Sequence, residues 1–299
     1  MADTAIIETN DLRKHYDGVE ALRGVNLRVQ PGSICGFLGR NGAGKTTTMK
    51  ILLGMAQPTS GEAHVFGLAA DSPRESLEIR RRSAFVSEEK DLYPHMTVEA
   101  IIRFTAPLFP RWRDDLLQRY LRKFDLPRTR RIKTLSRGTR TKVALLLALC
   151  RGAELLVLDE PTSGLDPASA EEVLQALVAH AGSEEMTVFF SSHQISEIDQ
   201  IADRVVIIER GRVLVDGALD DLREKFRRIH FVFDHDAPEV TFRAAGVGRV
   251  KRNGRVLTVL SSAGVDPIVE EVRPLHPRSI DVVPVTLKEI FLETVNAED

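Results

Sequence analysis

Cysteine is nearly absent from this sequence of 299 residues, with only Cys35 and Cys150 present. Cys35 lies in a strand-like apolar run and Cys150 ends the run Leu145 to Leu149, so both read as buried, inert thiols. That usage fits a reducing cytoplasm rather than an oxidising compartment. Long apolar runs are also missing. None approaches the roughly 20 residues that a membrane span requires. Met1-Ala2-Asp3-Thr4 carries no basic segment followed by an apolar one, so no signal peptide is expected. Charge of one sign is not in excess either: 41 Lys and Arg stand against 43 Asp and Glu, a formal net charge of −2. A general nucleic-acid binder usually carries a basic surplus, and no nucleic-acid partner is expected. Arg80-Arg81-Arg82 and Arg128-Thr129-Arg130-Arg131 are short enough to be solvated faces. Internal repeats and low-complexity segments are not evident.

The length suits one large or two modest domains, and the patterning changes three times along it. Ile6 to Thr9 and Ala21 to Val29 alternate on either side of Asp17-Gly18, as antiparallel strands do. Ile34-Cys35-Gly36-Phe37-Leu38 is continuously apolar, ends in a glycine loop and leads into helical spacing from Thr46 to Gly54. That is a buried parallel strand feeding a helix. Leu155 to Leu158, Val188 to Phe190 and Val205 to Ile208 are further buried strands separated by helical stretches, which makes the class α/β. Glu99 to Phe104, Asp114 to Phe124 and Gly138 to Leu149 break the alternation as an all-helical insertion spanning about 97–151. After Gly217 the chain reads as a small α+β appendage, 218–299. It has a strand at Ile229 to Phe233, a hairpin with a type I′ turn at Asn253-Gly254, and helices over Asp266 to Val272 and Leu287 to Val295. Thr286 and Glu289 have capping-box spacing at the start of the last helix.

Gly39-Arg40-Asn41-Gly42-Ala43-Gly44-Lys45-Thr46 fills every fixed position of the phosphate-loop pattern, with a strand before it and a helix after it. Backbone N–H groups at a helix N-terminus wrap phosphate, and the glycines permit that close approach. Gly39, Asn41, Gly42, Ala43, Gly44, Lys45, Thr46 and Thr47 are therefore the expected ATP-binding residues. Lys45 should reach the β- and γ-phosphates, and the Thr46 hydroxyl should ligate Mg2+. Leu155 to Leu158 delivers Asp159 and Glu160 at a strand end. Asp159 is the expected metal partner, usually through water, and Glu160 the group that orients or deprotonates the attacking water. His193 follows the strand of Val188 to Ser192. At that edge of an open α/β sheet, Gly39, Asp159 and His193 should converge, with His193 hydrogen-bonding the γ-phosphate.

Together these motifs resemble those of the ATP-binding cassette (ABC) ATPases, from about Ile6 to Gly217. Leu135-Ser136-Arg137-Gly138-Thr139 is similar to the family signature L-S-G-G-Q, with Arg137 and Thr139 departing from it. Ser136 and Gly138, the parts that would touch a γ-phosphate, are retained at a helix N-terminus that favours anions. Ser163-Gly164-Leu165-Asp166 looks like the D-loop that crosses to the other subunit, so Asp166 is carried over as a nucleotide-site residue. Tyr16 matches the aromatic that stacks on adenine. Glu88 stands where the Q-loop usually offers Gln, and is carried over as a ligand of the metal or its water.

The resemblance implies a P-loop NTPase core with an N-terminal antiparallel β subdomain, a helical insertion and a small C-terminal α+β domain. It divides the chain into an ATPase domain, 1–217, and the appendage. It implies an ATPase of a bacterial exporter-type transporter, with ATP and Mg2+ as its cofactors. Its partners would be an integral membrane permease and a second cassette, identical or related, since two cassettes close head to tail on two ATP molecules. The subunit would be cytoplasmic, held peripherally on the inner face of the cell membrane by the permease. Leu92 to Glu99, after the Q-loop, would help receive the coupling helix of that permease. The competing reading is a soluble ABC ATPase acting on ribosomes or DNA. Such proteins usually carry two cassettes, long coiled-coil insertions or zinc cysteines, and none of these is present.

Overall fold

The computed structural model describes residues 5–184 and 186–296; Met1 to Thr4, read above for a signal peptide, lie outside them. The chain divides into two compact units, Met1–Asp216 and Gly217–Asp299.

The first unit opens with β1 (Ile7–Tyr16) and β2 (Val19–Val29), paired antiparallel. Asp17 and Gly18 close this pair with φ of 32° and 87°, the two positive values that a type I′ hairpin needs. Next come β3 (Ile34–Leu38), α1 (Lys45–Leu52), β4 (Ser60–Val65), β5 (Leu68–Ala69), α2 (Pro73–Arg82) and β6 (Ser83–Val86). The helices α3 (Val98–Thr105), α4 (Asp114–Lys123) and α5 (Arg137–Leu149) then follow without a strand between them, where helical spacing predicts them. β7 (Leu155–Leu158), α6 (Pro167–Glu184), β8 (Thr187–Ser192), α7 (Ile195–Ile201), β9 (Arg204–Glu209) and β10 (Arg212–Ala218) come last.

Four strands make an antiparallel sheet in the order β2-β1-β4-β5, and six make a second sheet, β10-β9-β3-β8-β7-β6. From β9 through β6 the neighbours are parallel. β3, β7 and β8 are buried at every position, which is why β3 and β7 are continuous runs without polar alternation and β8 has the apolar centre Val188 to Phe190. One core joins Ile7, Leu22 and Val25 of the antiparallel sheet to Phe37, Val157, Phe189 and Val206 of the parallel one. Within it the Phe37 and Phe189 rings lie 5.2 Å apart. Cys35 and Cys150 are both fully buried, and burial pushes their thiols up, that of Cys150 to about 12.

Strand register decides what meets at the carboxyl edge of this sheet. Leu38 is level with Ser192, Phe190 with Leu158, and Leu158 with Val86. The residues that follow these ends are Gly39, His193, Asp159 and Ser87, so four separate stretches of chain reach one edge together.

The second unit comprises α8 (Leu219–Lys225), β11 (Arg227–Val232), β12 (Val247–Asn253), β13 (Val256–Ser261), α9 (Asp266–Val272), β14 (Ser279–Pro284) and α10 (Leu287–Asn296). Its antiparallel sheet runs β12-β13-β11-β14 over a core of Ile229, Phe231, Leu257, Val259, Ile268 and Val272. The hairpin expected around Asn253-Gly254 is present, but its turn differs. Asn253 pairs with Val256, which leaves Gly254 and Arg255 as the central residues. Only Gly254 has positive φ, 51°, as in a type II′ turn with glycine first. The capping box forms as its spacing predicts: Thr286 N–H donates to Glu289 Oε2 at 3.0 Å and Glu289 N–H to Thr286 Oγ1 at 3.3 Å. Thr286→Ala should lower the stability of this unit by about 1 kcal/mol, the usual cost of a lost N-cap, measured as an earlier urea midpoint.

Candidate functional site

The loop from Gly39 to Lys45 owes its shape to close packing. At Gly44 φ is 110°, and a Cβ there would lie 2.6 Å from Leu22 Cδ2 and 2.9 Å from the Ala21 carbonyl. A Cβ at Gly39 would stand 2.4 Å from the Ile208 carbonyl. Only glycine fits either place. The loop therefore curls tightly into the N-terminus of α1, where free N–H groups and the helix dipole favour an anion. A cavity of about 350 Å³ opens over it, lined by Ala21, Glu88, Glu160 and the stretch Asn41 to Thr47.

Lys45 is only 6% exposed. Its Nζ donates to the carbonyls of Gly39 at 2.7 Å and Arg40 at 3.3 Å, and stands 3.2 Å from Glu160 Oε1. The next residue, Thr46, donates its hydroxyl to Asp159 Oδ2 at 2.7 Å. Ser191 ties the two carboxylates at the end of β7 together. Its hydroxyl donates to Asp159 Oδ1 at 2.7 Å and accepts from the Glu160 N–H at 2.9 Å. His193 Nδ1 lies 2.8 Å from Glu160 Oε2. Glu160 has a φ of 48°, a left-handed conformation that costs a non-glycine residue of order 1–3 kcal/mol and that surrounding contacts must enforce.

Behind this layer sits Glu197, nearly buried, which accepts from Thr162 at 2.6 Å and from Ser192 at 2.7 Å. Lys90, 7% exposed, donates from Nζ to the Glu160 carbonyl at 2.8 Å. Burial, and then the nearby Arg137 guanidinium, push its ammonium down to about 8.

The structure thus gathers Asn41, Gly42, Ala43, Gly44, Lys45, Thr46, Thr47, Glu88 and Glu160 around one cavity. Gly39, Asp159 and His193 stand directly behind it, as partners of Lys45, Thr46 and Glu160. The remaining predicted residues are not part of its lining. Tyr16 ends β1, is 43% exposed, and has the Lys14 ammonium 4.7 Å from its ring centre. Ser136 caps α5 by accepting from Thr139 N–H at 3.1 Å. Asp166 accepts from Ser169 N–H at 3.0 Å at the start of α6, and the Ser169 backbone and hydroxyl hold its carboxyl below the usual range. A Cβ on Gly138 would touch Ser169 Oγ at 3.5 Å, and Arg137 donates to Ser163 Oγ at 3.3 Å. Signature and D-loop segments of this chain therefore form one exposed surface of their own.

Sequence reasoning missed Ser191, Ser192, Glu197 and Lys90 as site residues. The serines carried a faint signal, two hydroxyls closing an otherwise apolar strand. Lys90 carried none, because a lysine after Glu88-Glu89 reads as an exposed charge.

A sequence model of the family described as "ABC transporter" matches residues 22–163. The chain is 35% identical over 227 residues to the bacitracin transport ATP-binding protein BcrA of Bacillus licheniformis, covering 75% of this chain and 74% of that one. It is 35% identical over 232 residues to the daunorubicin resistance ATP-binding protein DrrA3 of Streptomyces coeruleorubidus, covering 75% and 71%. The ABC transporter ATP-binding protein YtrB of Bacillus subtilis aligns at 25% identity over 96% of this chain and 97% of its own, a match that extends into the second unit. Among solved structures, an ATP-binding subunit of an ABC transporter superposes with a TM-score of 0.65 at 29% identity, covering 73% of this chain and 92% of that one.

Proposed function

The chain belongs to the ABC transporter family, and from that premise we propose how its residues do the work of an ATP-binding, ATP-hydrolysing transporter subunit. The observation that carries this reading is the joined array at the sheet edge, in which Lys45 and His193 hold the Glu160 carboxylate beside the phosphate loop. Lys45 binds the terminal phosphates and offsets charge that builds up on them during transfer. Glu160 accepts the proton of the attacking water, and His193 fixes the direction in which that carboxylate points. Thr46 and Asp159 fit a magnesium ion, since their oxygens sit side by side, 2.7 Å apart, and a hard cation takes oxygen ligands. Glu88 is a second carboxylate on the cavity wall, beside that of Glu160 in the lining. When bound, magnesium would neutralise part of the negative charge of the phosphates.

Tyr16 is suited to stack on adenine from the end of β1. Ser136, Gly138 and Asp166 face outward on one surface, as residues do that complete the nucleotide site of a second cassette. Two copies, or this chain and a related one, close over two nucleotides, and hydrolysis lets them part, a population shift driven by the ligand.

Among the described residues no helix is long and apolar enough to cross a membrane. The relatives named as ATP-binding proteins of transport and resistance systems support a separate permease as the membrane-spanning partner. A groove lined by Phe85, Lys90, Leu92, Thr105, Phe109 and Arg151 suits the docking of that permease. Around it Tyr93 and Phe104, 57% and 47% exposed, stack edge to face at 5.6 Å, and Leu108 is 61% exposed. A cluster of large exposed apolar side chains marks a protein contact. Held there, the ATPase works on the cytoplasmic face of the membrane. The relatives named for bacitracin transport and daunorubicin resistance support export as the direction.

Affinity purification from detergent-solubilised membranes should recover the chain with an integral membrane protein, and replacing Phe104 and Leu108 by serine should abolish that recovery. Enrichment of ribosomal particles or DNA in place of a membrane protein would overturn the transport reading.

A further inference from the structure

We infer that Lys90 is a positioning residue for Glu160, tying the backbone of the catalytic carboxylate to the permease-docking groove. This inference rests on the reading of Glu160 as the general base. Three observations lead to it. Lys90 lines the groove that receives the permease, between Ser87 and Asp91 on one side and the α5 residues Ala144, Leu147 and Ala148 on the other. Lys90 is nevertheless only 7% exposed, and its ammonium donates to the Glu160 carbonyl at 2.8 Å. Glu160 has a left-handed backbone, φ 48°, that no glycine relieves and that its neighbours must hold; Lys90, with φ 50°, shares that conformation.

The hold is built from all sides. Ser191 Oγ accepts the Glu160 N–H at 2.9 Å, while the Glu160 carbonyl accepts from Lys90 and also from the Ser163 N–H at 3.2 Å. The side chain is directed by His193 at 2.8 Å and by Lys45 at 3.2 Å. Of the backbone contacts, Ser191 belongs to the rigid interior of β8 and Ser163 is a near neighbour in sequence. Lys90 alone among them comes from a loop that faces a partner. A permease segment that shifts the stretch Glu88 to Leu92 must therefore move the donor on the Glu160 carbonyl. Rotation of that peptide swings the carboxylate off the line of the attacking water. The device needs no charge transfer and no change in nucleotide contacts, so its signature is in the chemical step and not in binding.

Full-length Lys90→Met and Lys90→Arg chains test this, with Glu160→Gln beside them. Each is assayed for steady-state ATP hydrolysis, for affinity towards a non-hydrolysable ATP analogue and for thermal unfolding. Lys90→Met should keep its analogue affinity within about twofold and lose about ten- to a hundredfold in kcat, the penalty of a catalytic group misplaced by a fraction of an ångström. Lys90→Arg, which can still donate to the carbonyl, should recover most of that loss. An unchanged kcat in Lys90→Met overturns the inference. So does a joint fall in kcat, affinity and melting temperature that Lys90→Arg fails to repair, since that is the mark of a folding role alone. A Glu160→Gln chain that hydrolyses ATP normally would remove the base assignment itself. A stalled Glu160→Gln beside a fully active Lys90→Met would remove only the role given to Lys90.

Discussion

Glu160→Gln should still bind ATP and should slow its turnover by about two to four orders of magnitude, the range a positioned general base contributes. The amide has the shape of the carboxylate, so the contact near His193 Nδ1 survives, and the phosphate loop is untouched. What is lost is the acceptor for the proton of water. The carboxylate side chain is 7% exposed, and its Oε1, 3.2 Å from Lys45 Nζ, makes no hydrogen bond within the chain. Binding without turnover should also trap the closed pair of cassettes, so gel filtration with ATP and magnesium should show a two-copy species that the unmodified chain forms only transiently. Rapid quench of radiolabelled ATP reads the chemical step directly, and normal phosphate release by the variant would strip Glu160 of its role.

The parts of this site that the sequence made legible are those in which chemistry and chain order coincide. Gly39 to Thr46 carries its own geometry, since glycines, lysine and hydroxyl are consecutive and the flanking periods are those of strand and helix. Asp159-Glu160 was readable for the same reason, as a polar pair at the end of an apolar run. The α/β order, the helical insertion and α9 followed from periodicity alone. The rest depends on contacts between segments far apart in the chain. Lys90 and Glu160 are separated by 70 residues and Ser191 and Asp159 by 32, and nothing local announces either pair. In the second unit β14 escaped notice because it is an edge strand with mostly exposed positions, among them Val282 at 45%. The turn of the β12–β13 hairpin was misplaced by one residue. Asn253-Gly254 has the composition of a type I′ turn, but pairing of Asn253 with Val256 fixes the strand ends and shifts the bend to Gly254-Arg255.

A left-handed backbone and a nearly buried charge coincide at Glu160, which also contacts Lys45, His193, Ser191 and Lys90. A fold optimised only for stability would not place an acid there, since burying charge is costly even when it is paired. In the proposed mechanism that cost serves the hydrolytic step, which would use a base held in one orientation and shielded from bulk water.

Lys45→Ala should abolish ATP hydrolysis, by at least about a hundredfold, as removal of a donor that stabilises developing charge does elsewhere. It should weaken nucleotide affinity as well, which separates it from Lys90→Met. Lys45→Arg should not rescue it. The ammonium is cradled between the Gly39 and Arg40 carbonyls and Glu160 in a nearly buried place, and a planar guanidinium is wider than that cradle. The folded state should respond too. Without Lys45 the Glu160 carboxylate keeps its contact with His193 Nδ1 but loses the ammonium beside Oε1, and breaking a buried pair from one side costs roughly 3 kcal/mol. The double variant Lys45→Ala, Glu160→Gln removes the stranded charge and should unfold at a higher temperature than Lys45→Ala alone. That reversal of sign, one further substitution restoring stability, is expected only if the two side chains share one low-dielectric site. Additive losses in the melting temperatures would mean that they do not, and wild-type ATPase activity in Lys45→Ala would mean that the loop is not where phosphate is bound.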